Sequence, residues 1–255
     1  MNGAWQIARY ELARLFVSPL AWTILAVAQL LLGLMFALSL ADVLMNPGRV
    51  NEYAGVTEVV VAGLFRFAWV LLLLIVPLLT MRLFSEERKQ GSLDLLLASP
   101  VSLSALVLGK FAGVMGFMTV LLGLIALMPL FLLINTPLDT GMLAAGLLGL
   151  WLMMAAFTAA GLFVSSLTRE PTIAAIGGFG LLLAVWLLHA ITLFEYEPVV
   201  FGLALPLADL AGTLSLLGHF EALLYGLFDT ADVAFILIFT ALFLALTVQR
   251  LDMER

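Results

Sequence analysis

Long apolar runs alternate along this chain with short polar interruptions, and the alternation predicts its elements. Near-continuous aliphatic and aromatic sequence occupies residues 20–41, 59–83, 103–134, 141–167, 172–194 and 231–249. About 20 predominantly apolar residues, rising 1.5 Å each, cross a hydrocarbon layer of ~30 Å. Each run therefore predicts a membrane-spanning helix. The third is longer than a crossing needs, so its first turns, up to Lys110, are expected to project beyond the membrane beside the preceding loop.

Three stretches break the pattern. Residues 3–16 mix apolar Trp5, Ile7, Ala8, Leu12, Leu15 and Phe16 with Gln6, Arg9 and Arg14, which predicts an amphipathic helix along the membrane surface. Pro19 separates it from the first span. Ser39-Leu40-Ala41 looks like a cleavage site, but the apolar run before it exceeds the roughly 7–15 residues of a signal peptide. The first span is accordingly read as retained. Arg66 falls within the second run, where 67–81 is the charge-free core, so Arg66 is expected to snorkel to the interface. Pro77 predicts a kink near the end of that span. From 195 to 232 the apolar sequence is cut by Pro198, Pro206, Asp209, Gly212, Gly218, His219 and Glu221. It is read as short helices, re-entrant or interfacial, rather than as a span.

The expected fold is an all-α membrane protein with six transmembrane helices in a single domain, 1–255. An interfacial helix lies in 1–19, a short helix in the loop 82–102 between spans two and three, and short helices in 195–230 between spans five and six. Composition agrees: 64% of residues are hydrophobic and 11% charged, against roughly 45–50% and ~25% in soluble domains. The absence of cysteine excludes disulfides and thiolate metal sites. Nine of the lysines and arginines (Arg9, Arg14, Arg82, Arg88, Lys89, Lys110, Arg169, Arg250, Arg255) fall on one predicted side, and Arg49 and Arg66 on the other. The excess places both termini and the 82–102 loop in the cytoplasm.

Several chemistries are disfavoured. No basic tract points to nucleic acid. His189 and His219 are the only histidines, and neither metal-ligand spacing, HExxH, GxSxG nor a phosphate-binding GxxxxGK[ST] is present. The span interiors lack the acid or histidine relay of a proton-coupled carrier, and no inverted repeat is evident. Energy is therefore expected to enter from outside the bundle. Gly109, Gly113 and Gly116, Ala155, Ala159 and Gly161, and Gly177, Gly178 and Gly180 predict close helix contacts in spans three, four and five.

Two candidate sites remain. Residues 82–110 cluster charge at Glu86, Glu87, Arg88 and Lys89, bend at Gly91, and continue as Ser92-Leu93-Asp94-Leu95-Leu96-Leu97 to Pro100. Asp94 in the first turn favours that short helix. Paired acids are not needed for topology, so the loop reads either as a solvated turn or as a docking surface for a soluble partner. On the opposite side, His219, Phe220, Glu221, Asp229 and Asp232 read either as helix caps and interfacial polar groups, or as a gate, a partner contact or an acid–base site.

The first of these stretches carries a resemblance. Glu86-Glu87, then Gly91-Ser92, Asp94, Leu96-Leu97 and Pro100, with Gly109-Lys110 following, is similar to the membrane subunits of ABC-2-type ABC transporters. That family more often has threonine and glutamate at the positions of Ser92 and Asp94. Leu214 to Glu221, followed by Gly226, Asp229 and Asp232, resembles the gliding-motility-associated branch. The resemblance implies a non-catalytic six-span permease in a bacterial inner membrane. It would pair with a second permease copy or paralogue and with cytoplasmic ABC ATP-binding subunits, where ATP and magnesium would be bound. Glu86, Glu87, Gly91, Ser92, Asp94, Leu96 and Pro100 would couple to the ATPase, with Arg9, Glu11 and Arg14 of the N-terminal helix beside them. The outer residues would face the exit or an extracytoplasmic accessory protein. Lipids, polysaccharides or drugs would be cargo, and some relatives instead perform mechanical work on envelope partners. An integral scaffold, or an enzyme using the outer histidine and acids, is the alternative.

Overall fold

The computed structural model describes residues 2–46, 55–97, 101–134, 136–192, 199–200, 203–204 and 207–254. Helix α1 (Asn2–Val17) is followed by α2 (Pro19–Met45). Ser18 between them is extended and Pro19 opens α2, the conformation that a proline imposes on the residue before it. The second span begins with a π-helical stretch, Thr57–Ala62, and continues as α3 (Gly63–Thr80). Two short helices follow, α4 (Ser85–Lys89) and α5 (Ser92–Leu97). Then come α6 (Leu103–Leu132), α7 (Thr140–Leu167) and α8 (Pro171–Ile191). The short helices α9 (Leu207–Leu214) and α10 (Leu216–Leu224) precede the last long helix, α11 (Thr230–Asp252).

Six of these helical runs are long and apolar enough to cross a membrane. The fold is that of an all-α multi-pass membrane protein. The one departure among the described residues is a minimal antiparallel ribbon, Val199–Val200 against Leu203–Ala204.

Helix α7 is the most enclosed span, packed against α3, α6, α8, α10 and α11. Its small residues explain this. Gly161 receives Thr80, Gly149 receives Phe220 and Leu223, and Gly146 receives Phe65. The glycines of span three have a partner the sequence did not indicate. A Cβ on Gly109 would lie 2.8 Å from the Ala4 carbonyl oxygen, and one on Gly113 would lie 2.7 Å from the Glu11 Cβ. Helix α1 is thus seated on the glycine face of α6, rather than lying on the membrane surface by amphipathicity alone.

Span two ends by breaking its ladder. Met81 to Phe84 form turns, and the hydroxyl of Ser165 on α7 accepts the amides of Phe84 (3.1 Å) and Ser85 (3.3 Å) while donating to the Met81 carbonyl (3.0 Å). One buried serine satisfies the backbone that the break leaves open.

Candidate functional site: a charged turn tied to four elements

The four consecutive charges on α4 leave in four directions. Glu86 Oε2 accepts from Arg14 Nη2 of α1 at 3.1 Å, and Glu87 Oε1 accepts from Lys110 Nζ of α6 at 2.5 Å. Arg88 Nη2 donates to Glu254 beyond the end of α11 at 2.7 Å, and Lys89 Nζ donates to Glu170 between α7 and α8 at 2.7 Å. An α-helix turns about 100° per residue, so adjacent side chains on one turn necessarily diverge.

Lys110 is the centre of this arrangement. Its side chain is 1% exposed, it donates to Glu11 Oε1 at 2.5 Å as well as to Glu87, and it lies 5.3 Å from the centroid of the Phe84 ring. Glu11 is 3% exposed and also faces Arg14 at 3.6 Å. Three elements therefore meet at one desolvated ammonium. Such a cluster stabilises only while every partner is present, because removing one leaves a buried charge uncompensated. A second oxygen of Glu87 is buried with no hydrogen-bond partner among the described residues. Beside it opens a cavity of about 270 Å³ lined by Gly3, Gln6, Tyr10, Leu96 and Val101.

Past this core the loop turns outward. Gly91 is exposed in the left-handed region, φ +72°, with open space where a side chain would project. That conformation favours glycine. Ser92 Oγ donates to the Glu87 carbonyl at 3.2 Å, and Leu93 is buried. The Asp94 and Pro100 side chains lie outside the described residues. Arg9 is exposed with no partner among the described residues, unlike Arg14 and Glu11 on the same helix.

At the other end of span two the groups are more open. Arg66 donates to the Tyr225 hydroxyl at 2.8 Å, lies 3.7 Å from Glu221 and approaches the Tyr225 ring. It is held by a partner helix rather than simply snorkelling. His219 Nδ1 lies 2.6 Å from Asp232 and its Nε2 3.2 Å from the Thr213 carbonyl, with its ring stacked on Phe235. Asp229 caps α11 by accepting from Ala231 N at 2.9 Å, and Ser215 caps α10 by accepting from Gly218 N at 3.1 Å. Phe220 is fully buried against α7. Among the described residues no group of three or more histidines and acids could hold a metal ion.

Sequence reasoning placed Lys110 beside the loop without its partners, and missed Ser165, Glu170 and Glu254 as members of the loop's surroundings. Glu11 carried a readable signal. Ala4, Ile7, Ala8, Glu11, Leu12 and Leu15 share one helical stripe, so Glu11 is an acid on an apolar face and must find a cation there.

Comparison with known families matches residues 5–254 to the family described as ABC-2 family transporter protein. Comparison with curated proteins gave no match.

Proposed function

The chain belongs to the ABC-2 family of transporter proteins, and from that membership we propose that it is a permease subunit driven by a separate cytoplasmic ATP-binding subunit. In this reading it resides in a bacterial inner membrane with both termini and the α4–α5 loop in the cytoplasm, as the lysine and arginine distribution indicates. ATP and magnesium are bound by the partner, and the chain itself is non-catalytic. It works with a second permease copy or paralogue, to export a substrate or to do mechanical work on envelope partners.

The observation that carries this reading is the charged turn. Lys89, Gln90 and Gly91 form the exposed tip, and behind them Glu86 to Lys89 bind α1, α6, the α7–α8 turn and the chain after α11. A soluble partner pressing on the tip would reach four parts of the bundle at once. Gly91, Ser92, Asp94, Leu96 and Pro100 are then the contact and shape of the tip, while Glu86 and Glu87 transmit inward. The outer groups His219, Glu221, Asp229 and Asp232 serve as the exit wall or an accessory contact, in a member of the gliding-motility-associated branch. Their capping and pairing favour this reading over an acid–base site.

The test is co-purification from detergent with the ATP-binding protein encoded alongside. Wild type should give a stable complex whose ATPase activity responds to the permease. The double variant Glu86→Ala/Glu87→Ala should lower stability, because Lys110 loses one of its two carboxylates, yet with Glu11 still paired to Lys110 it should stay in the membrane, bind the ATPase and lose that response. Gly91→Pro should do the same while remaining in the membrane. Absence of any complex with wild type would overturn the assignment, and loss of the variants from the membrane would assign the turn to folding.

A further inference from the structure

Beside the ion cluster lies a cavity of about 280 Å³ between α1, the start of α2 and the end of span two, whose lining includes Arg14, Ser18, Leu20, Leu78, Arg82 and Glu86. Leu20 and Leu78 also line a second cavity, about 350 Å³, that continues between α2 and α3 past Thr23, Val27, Leu31 and Leu74. The two make one groove, charged at its mouth and apolar along its length. From Leu20 to Leu31 the groove follows about 16 Å of helix at 1.5 Å per residue, roughly one leaflet of a ~30 Å hydrocarbon layer. Trp22, whose indole donates to the Phe16 carbonyl at 2.7 Å, marks the mouth as interfacial, where tryptophan is enriched.

The charges at the mouth balance in number, but not all of them are paired in place. Glu11 is engaged by Lys110, and Glu86 takes Arg14. Arg82 is exposed and has no ion pair or hydrogen bond among the described residues. We propose that this groove is a phospholipid site, with the lipid phosphate held by Arg82 and one acyl chain lying between α2 and α3. A guanidinium binds phosphate oxygens through paired N–H donors, and the aliphatic walls bury the chain. The site does not depend on the ATPase reading. It places a membrane lipid in contact with the Arg14–Glu86 pair, at the edge of the charged turn.

Native mass spectrometry of the purified full chain tests this, with dioleoyl phosphatidylglycerol, dioleoyl phosphatidylethanolamine and phosphate-free dioleoylglycerol as probes. A single phospholipid adduct per chain is expected at concentrations where dioleoylglycerol gives none. Arg82→Gln should lower its retention about five- to tenfold, the scale of one charge-assisted hydrogen bond near solvent. Arg82→Lys, which keeps the charge but not the paired donors, should fall between wild type and Arg82→Gln, and Arg9→Gln, an exposed arginine outside the cavity, should retain all of it. Val27→Trp, which fills the groove, should displace the lipid without touching the arginine. Equal retention by Arg82→Gln, or by Val27→Trp, would overturn the proposal. So would equal binding of dioleoylglycerol, or a broad ladder of adducts typical of annular lipid.

Discussion

At one end of the second span a lysine is enclosed by two carboxylates and is 1% exposed; at the other an arginine, 46% exposed, rests against a tyrosine hydroxyl and one acid. Both are cations near the ends of apolar helices, and both are paired. The difference is desolvation. Taking Lys110, Glu11 and Glu87 out of water carries a large cost that only complete pairing offsets. Arg66 keeps part of its hydration, so its contacts are weaker and more independent. The first arrangement ties α1, α4 and α6 to one buried ammonium. The second joins α3 to α10 without locking them.

The sharpest way to break this comparison is Lys110→Met. It leaves two carboxylates facing each other in a dry site, and about 3–5 kcal/mol of stability should be lost. A thermal-shift assay in detergent should show the fall, or the protein should fail to accumulate in membranes. The triple variant Glu11→Met/Glu87→Met/Lys110→Met should recover most of that stability, because the desolvation cost disappears along with the charges. Recovered folding with lost response to the ATPase would separate transmission from stability.

Arg66→Met should cost about 1 kcal/mol, since one partly exposed charged hydrogen bond and one loose ion pair go together. Hydrogen exchange should then show α10 opening more readily while the α4 region is unchanged. Equal losses at both ends would sink the contrast drawn here. The smallest effect is expected at the charged turn itself. Lys89 and Glu170 are 56% and 50% exposed, so Lys89→Ala should shift stability by less than about 0.5 kcal/mol. A larger shift would mean that the rim, and not only Lys110, holds the turn.

Much of the bundle was legible in the sequence, because lipid imposes a single long-range rule on it. Six apolar runs, the Pro19 break and a cap at Asp229 or Thr230 could be read from neighbouring residues alone, and Asp229 is the one that caps. The pairings around α4 could not, since they join residues 23 to 166 positions apart. The charges were visible as a cluster, but which face each took depends on helices whose placement no local pattern encodes. The glycines of span three announced a close neighbour without naming it, and α1 proved to be that neighbour. Ser165 offered no signal, because a serine in a span is commonplace until a broken helix needs its hydroxyl. The outer residues were more readable, as capping is a short-range affair.

A single turn of helix with four tethers has a mechanical consequence. Because its side chains point around the compass, no direction of push is slack. Tilting α4 toward one neighbour stretches the ties to the others, while a twist about its axis loads all four together. In the proposed function such a piece would act as a spindle, turning a linear nudge at Gly91 into torque shared among the four elements it is tied to. The bend there, with empty space around it, is where that spindle can be gripped.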